Sequence, residues 1–358
     1  MLGSIWMIGL CFAAFGFAFS LLAIALVKRT GIVDAPDTER KTQSFAVPRL
    51  GGVAILLGTL FGFLMGFLLL FARSAVNLNE GFSELYSQVL ILIRGQEPAF
   101  AFIAVAFLIG LWDDIWTAGT KLKLFILALA CFGSAALGTV PDALSSPWGD
   151  VTVPAILIIG SALWMLVFSN AVNFIDGSNG MAGGCLAIMF IGLASTGVVS
   201  GDWALSVWWF VLLGALAGFL MHNLRGTLYL GDAGALGLGA LFAALGLLSG
   251  LEVWTIVTLA LPVLLDVLLT LVWRAKHGRN WLEPHLDHAY QRLIASGWTH
   301  IEAAVLYWGL CAACGAAAYI GALAGGAAPF AFFWVLGLAG VWLWIGHRRS
   351  AQASDLGR

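Results

Sequence analysis

The chain has 358 residues, of which 61% are hydrophobic and 10% charged, with 44 Gly and 16 Trp. A soluble domain carries about 25% charged residues, so the composition excludes a water-soluble globule and points to an integral membrane protein. The formal net charge of −2 selects no charged partner, and nucleic acid is not expected to be one.

Crossing roughly 30 Å of hydrocarbon takes about 20 apolar residues in a helix. Stretches of this kind fall at 4–27, 52–72, 99–112, 122–139, 153–170, 184–200, 204–222, 234–250, 252–273, 302–323 and 327–346. The third is short and extends to Trp116 if it kinks. The expected fold is an all-α polytopic membrane protein of about eleven transmembrane helices. A single catalytic transmembrane domain over 1–347 is followed by a short tail, 348–358. The first stretch has no basic region ahead of it and ends in "VKRT" without a small-residue cleavage site, so it is expected to remain as a helix. Cys11, Cys131, Cys185, Cys311 and Cys314 lie in or beside apolar stretches, and "CAAC" at 311–314 reads as helix packing rather than a redox pair. The segment 73–98 is the one long loop between spans on its side, with room for an amphipathic helix lying on the membrane.

Basic residues set the orientation. Odd-numbered loops and the tail hold fifteen Lys and Arg, and even-numbered loops hold only Arg73 and Arg94. The odd loops are therefore expected in the cytoplasm, with the N-terminus outside and the C-terminus inside. Acidic residues on the outer side (Glu80, Glu84, Glu97, Asp142, Asp150, Asp202, Glu252) are scattered. On the inner side they abut helix ends and glycines, which places function there.

Five inner stretches carry the chemistry. "VDAPDTERKTQSFAVPRLGG" (33–52) brings Asp34, Asp37, Arg40, Lys41 and Arg49 to a helix opened by Gly51 and Gly52, where free amides and cations could hold a phosphate. The plain alternative is an anchor for lipid headgroups. "GLWDDIWTAGTKLK" (110–123) sets Asp113 and Asp114 where a helix leaves the membrane, with Lys121 and Lys123 one short loop away. Adjacent residues on a helix project about 100° apart, so one carboxylate can face a metal or substrate while a cation holds the other. "SNAVNFIDGSNGMAGG" (169–184) spaces Asn170, Asn173 and Asp176 by three, on one helix face. Gly177 and Gly180 then permit positive φ, and the Asn179 amide can both donate and accept. "MHNLRGTLYLGDAGALGLGA" (221–240) places Asp232 between glycines at a helix start, as a site residue or simply an N-cap. "RAKHGRNWLEPHLDHAYQRLIASGW" (274–298) gathers Arg274, Lys276, His277, Arg279, His285, His288 and Arg292. No third strong ligand supports zinc there, and anion binding is the better use. Asp266, in the preceding span, is an intramembrane acid expected to face the bundle interior.

Carboxylates and Asn oxygens suit Mg²⁺, which shares its coordination with waters and substrate phosphates. Basic loops around it suit a diphosphate, so the residues themselves point to phosphoryl transfer at the inner membrane surface.

The ordered motifs D-x-P…R-K…P-R-x-G-G, G-x-x-D-D with a downstream Lys, N-x-x-N-x-x-D-G-x-x-G, G-D-x-G and a late His before R-L resemble the polyprenyl-phosphate N-acetylhexosamine-1-phosphate transferases. The resemblance implies transfer of a HexNAc-1-phosphate from a cytoplasmic UDP-N-acetyl sugar to undecaprenyl phosphate, releasing UMP, with Mg²⁺ as cofactor and Mn²⁺ as a substitute. It assigns Asp113, Asp114 and Asp176 to catalysis and Asp232 and Asn173 to the metal. It places Asn170, Gly177, Asn179, Asn223, Lys121, Lys123, Arg49, His285, His288 and Arg292 at the substrates. Many members have Asp where Asn179 stands, and the frequent H-x-H-H becomes "HAYQ" here, as in the O-antigen initiators. The peptidoglycan-type phospho-MurNAc-pentapeptide transferase is the nearer alternative. An ion-coupled transporter using Asp176 and Asp266 is the more distant one, set back by the absence of an inverted repeat. A non-catalytic scaffold would have no need of clustered acids. The expected location is the inner membrane, with the site on its cytoplasmic face, and Gly-rich helix faces permit a homodimer.

Overall fold

Eleven long helices run through the described residues: α1 (Leu2–Val27), α2 (Gly51–Asn77), α3 (Glu97–Trp116), α4 (Thr120–Ala136), α5 (Pro154–Ile175), α6 (Met181–Ser200), α7 (Trp203–Asn223), α8 (Gly231–Leu247), α9 (Val253–Lys276), α11 (His300–Ala324) and α12 (Ala328–Leu356). The seven-residue α10 (Ala289–Ala295) sits between α9 and α11. This computed structural model describes residues 2–35, 45–77, 95–116, 118–200, 203–280, 283 and 285–356. Asp37, Arg40, Lys41 and most of the 73–98 segment lie outside them. Each long helix covers one apolar stretch of the sequence, and seven are long and apolar enough to cross a membrane. The chain is an all-α polytopic membrane protein.

The exposed perimeter is apolar, as a lipid-facing surface must be. Leu60, Phe61, Leu64 and Leu68 of α2 and Val335, Leu338 and Trp342 of α12 all lie open. Helix α8 is the opposite case, buried nearly all round among α2, α3, α5 and α9. Its Gly- and Ala-rich sequence suits that position, because small residues let backbones approach where no hydrophobic effect drives helices together. A Cβ on Gly52 would lie 2.2 Å from the Gly234 amide nitrogen, and one on Gly110 would lie 2.3 Å from the Asp232 carbonyl. The start of α8 is thereby locked against the start of α2 and the end of α3.

Contacts between helix termini gather the ends of α1, α3, α5, α7, α9 and α12 and the starts of α2, α4, α6, α8 and α11 at one end of the bundle. There a two-stranded hairpin, β1 (Val33–Asp34) with β2 (Val47–Pro48), spans α1 and α2. Lys28 at the end of α1 meets His222 at the end of α7 at 3.0 Å. At the other end Trp148 and Trp254 pack edge-on against Phe330, an aromatic layer of the kind found at membrane borders.

Candidate active site

The first turn of a helix leaves amides without partners, and in α8 a carboxylate from another helix takes them. Asp114 accepts from the amides of Asp232 and Ala233, both at 3.0 Å, while only 6% exposed. This close fit requires Gly231, whose φ is +75° and whose Cβ would lie 2.1 Å from the Arg49 carbonyl. Arg49 balances the buried charge. Its Nε stands 3.2 Å from Asp114 Oδ1 as an ion pair, and its Nη2 donates to the Asp113 carbonyl at 2.7 Å.

Because Asp114 supplies the cap, the Asp232 side chain is free to turn elsewhere. It accepts a hydrogen bond from Lys123 Nζ, which also donates to Asp113 Oδ2 at 3.1 Å. Asp113 Oδ1 takes the Ala118 amide at 2.6 Å. The Asp113 and Asp232 carboxyls stand within hydrogen-bonding reach of each other, and Asn173 within reach of Asp232. The adjacent aspartates thus divide, as their angular separation on a helix requires. One is a buried cap and the other faces an open cluster of two carboxylates, an amide and an ammonium.

Asp176 closes α5 near enough to Asp232 and Asp114 for both charges to act on it. The loop after it is tied down from three sides. Asn223 Oδ1 accepts from the Gly180 amide at 2.7 Å, and its Nδ2 donates to the Leu228 carbonyl at 2.9 Å. Ser178 Oγ lies 2.8 Å from His300 Nδ1, and Trp308 Nε1 donates to the Gly180 carbonyl at 3.0 Å. Asn179 turns toward Gly226, where an added Cβ would lie 3.1 Å from its Nδ2. Gly180 has the expected positive φ of 79°, whereas Gly177 is needed for space, since a Cβ there would lie 2.3 Å from the Tyr290 hydroxyl.

Tyr290 carries the histidine loop to this place. It is fully buried, and its hydroxyl donates to the Phe174 carbonyl at 3.1 Å. Asp266 receives the start of α10, accepting from the Ala289 amide and the Tyr307 hydroxyl, each at 2.7 Å, with His288 Nδ1 at 3.8 Å. Both His288 nitrogens and His285 Nε2 are buried without hydrogen-bond partners among the described residues. Burial, reinforced by the neighbouring His288 and by the charge of Arg274, pulls the His285 imidazole down to about 4. Burial alone would raise Asp287, but the hydrogen bond and charge of Arg274, with Arg279 beside it, hold its carboxyl below the usual range.

Of the residues expected at the site, Asp113, Asp232, Asn173 and Lys123 meet directly, with Asp114 and Arg49 behind them and Asp176 close by. Lys121 is exposed outside this cluster. The Asn170 amide donates back to the Leu166 carbonyl at 2.8 Å, and that of Asn223 is engaged on both sides. Gly51 and Gly52 do not offer free amides to a phosphate as their sequence implied. Both donate to carbonyls, of Tyr229 at 2.9 Å and Leu230 at 2.8 Å, because that strand of chain runs against the start of α2. Asp266 faces the interior as expected, but its partners are the histidine loop, Tyr307 and Thr270 of its own helix. Arg348, on the last helix, was not among the expected site residues. It is buried at this end of the bundle and donates to the Asp287 carbonyl.

Among the described residues no three His, Cys, Asp or Glu side chains gather tightly enough to form an all-protein metal cage. Mg²⁺ needs none, since it keeps waters and shares substrate phosphates. Two carboxylates converging on one lysine ammonium, with the Asn173 amide beside Asp232, make a donor set of fitting hardness and charge.

Fold and site together define a multi-pass membrane protein with an acid–amide–lysine cluster where its helices end. Residues 98–250 match the family described as Glycosyl transferase family 4. The chain is 35% identical over 46% of its length to a phospho-N-acetylmuramoyl-pentapeptide-transferase of Synechococcus sp. (strain JA-2-3B'a(2-13)), and that match covers 52% of the relative. The namesake from Synechococcus sp. (strain JA-3-3Ab) is 31% identical over 60% of this chain and 68% of its own length. The decaprenyl-phosphate N-acetylglucosaminephosphotransferase of Mycobacterium tuberculosis (strain CDC 1551 / Oshkosh) is 28% identical over 86% of this chain and 78% of its own. The chain belongs to the polyprenyl-phosphate N-acetylhexosamine-1-phosphate transferase family.

Proposed function

We propose that this protein transfers a HexNAc-1-phosphate from a UDP-N-acetyl sugar to undecaprenyl phosphate, giving undecaprenyl-diphospho-HexNAc and UMP. The observation that carries the reading is the meeting of Asp113, Asp232, Asn173 and Lys123 at one end of the bundle, beside the loop that holds Asn179. An oxygen of the lipid phosphate bonds to the β-phosphorus of the nucleotide sugar, and the bond from that phosphorus to the UMP oxygen breaks. A phosphate monoester is largely ionised near neutral pH, so little is asked of a general base. Asp113 would take any remaining proton, because it faces the cluster with Asp232 and Lys123, whereas Asp114 is buried behind it against the α8 amides. Asp232 and Asn173 would hold Mg²⁺ or Mn²⁺, with Asp113 facing the same point. When bound, the ion would neutralise charge on the diphosphate. Lys123 adds a fixed cation, and Asp176 and Asn179 flank the nucleotide. His285, His288 and Arg292, on the segment that Tyr290 anchors, would meet the phosphates. In this reading the basic end of the bundle faces the cytoplasm, and the lipid phosphate enters from the inner leaflet of the cytoplasmic membrane. The product initiates an envelope polysaccharide such as O-antigen.

Identity to the phospho-N-acetylmuramoyl-pentapeptide-transferases favours a second donor, the UDP-MurNAc-pentapeptide. The deciding experiment incubates the purified protein with undecaprenyl phosphate and each labelled UDP-sugar, with Mg²⁺ or with EDTA. Labelled lipid and equimolar UMP are expected from a UDP-HexNAc, abolished by EDTA. Product from none of the donors in Mg²⁺ would remove the transferase reading, and product from UDP-MurNAc-pentapeptide alone would replace the donor.

A further inference from the structure

Helix α12 lies far along the chain from residues 98–250, yet it delivers a buried charge to the polar end of the bundle. Arg348 is 4% exposed, while its neighbour Arg349 lies open. Burying a guanidinium is costly unless something compensates for its lost hydration. Here its Cζ lies 4.1 Å from the ring centre of Trp273 and 4.9 Å from that of Trp344, and Nη2 donates to the Asp287 carbonyl. Indole faces are the strongest aromatic partners for such a cation.

The peptide that Arg348 grips sits between the two loop histidines. Asp287 follows His285 by two residues and precedes His288. Its carboxylate is held separately by Arg274 and by Arg279, the latter at 3.4 Å. Arg279 also lies over Trp273, 4.9 Å from the ring centre. The next amide but one, Ala289, is fixed on Asp266. Helix α9 thus holds the loop by a side chain and by the amide that opens α10. Helix α12 holds it by the carbonyl in between, a contact no group on α9 makes.

We propose that Arg348 is a positioning residue, whose grip on the Asp287 carbonyl holds the imidazoles of His285 and His288 in place for the diphosphate of the nucleotide sugar. The proposal rests on the transferase reading above for the ligand, and on geometry alone for the grip. The last turns of α12 then belong to the working site rather than to a passive tail. Arg348 touches no reacting atom, and its effect passes through the loop.

The full chain in nanodiscs provides the test, with Arg348→Ala, Arg348→Lys and Arg349→Ala compared by steady-state kinetics and by amide hydrogen exchange over residues 285–292. Arg348→Ala should raise KM for the UDP-sugar about tenfold, leave KM for undecaprenyl phosphate within about twofold, and speed exchange in the loop. Arg348→Lys keeps the cation and one donor and should fall between. Arg349→Ala removes the same charge from the same helix end and should match the wild type. If Arg348→Ala does not accumulate, Arg348→Lys carries the comparison. Equal effects at 348 and 349, equal increases in both KM values, or unchanged exchange would overturn the proposal. A wild type that makes no lipid product would sink the transferase reading, while the exchange comparison would still decide the grip.

Discussion

Two polar regions meet at the mouth of the bundle, and they are built differently. Around Asp232 the groups stand on helix ends: Asp113 and Asp114 on the last turn of α3, Lys123 on the first of α4, Asn173 near the end of α5 and Asp232 at the start of α8. Backbone amides and glycine contacts fix them to their neighbours. The histidine loop instead belongs to a connection, held by side chains reaching from α9, α11 and α12. Helix ends give a site placed by the fold itself, which suits reacting groups that must stay within fractions of an ångström. A loop held by replaceable side chains suits binding and release, where motion is needed.

The comparison breaks first at the helix-end cluster. Asp232→Asn and Asp113→Asn should each lower kcat by on the order of 10³ with the thermal midpoint in detergent little changed, since both face the open cluster. Asp114→Asn should behave differently, although it is the neighbouring residue. It takes from Arg49 the carboxylate that its Nε pairs with and replaces one of two acceptors for the α8 amides, so a loss of about 2 to 3 kcal/mol of stability should appear as a lowered unfolding midpoint and poor yield. Equal midpoints for the 113 and 114 variants would refute the division of roles.

Gly231→Ala sharpens the same point through the backbone. Its φ of +75° and a Cβ 2.1 Å from the Arg49 carbonyl combine strain with a clash. A cost of about 2 kcal/mol or more is expected, with Asp114 drawn off the α8 amides. Gly180→Ala is the control for conformation. Its φ of 79° carries similar strain, but its closest Cβ neighbour is a flexible Leu224 side chain at 2.6 Å.

Much of this architecture is written in the sequence. Apolar length marks the helices, because nothing else can hide about 20 residues of backbone from lipid. Acids at helix ends mark the cluster, because an unneeded charge there is costly. The ends themselves are less legible. The sequence places the sixth span from 184, whereas α6 begins at Met181, and α12 runs past residue 347 to Leu356 without a break. Which of Lys121 and Lys123 turns inward depends on the phase of α4 after a turn whose geometry is not encoded in charge. The amides of Gly51 and Gly52 looked available only because their acceptors, Tyr229 and Leu230, are distant in sequence. Arg348 was hidden for a related reason. An Arg near a C-terminus reads as a lipid anchor until Trp273 and Asp287 are seen against it.

The smallest effect expected is a pH response confined to the histidine loop. His285 is held down to about 4, against about 6.5 for a free imidazole. The groups acting on it are His288 on its own loop, Arg274 of α9, Asp287 and Arg348 of α12, and all but Asp287 push it downward. Its folded value lies below its unfolded one, so the opened loop binds the extra proton between those limits. Protection is therefore complete above about pH 6.5 and declines as pH falls toward 4. Asp287 acts in the opposite range. Its depressed value makes its contribution present above the ordinary carboxylate pKa and lost only below it, so Arg274 and Arg279 keep their hold throughout the window. Exchange rates over 285–292, corrected for intrinsic chemistry, should thus rise modestly from pH 7.5 to 5.5. A His285→Gln variant should lose most of that dependence. A slope unchanged by the substitution would assign the response to another group and leave the loop as firmly fixed as the helix ends.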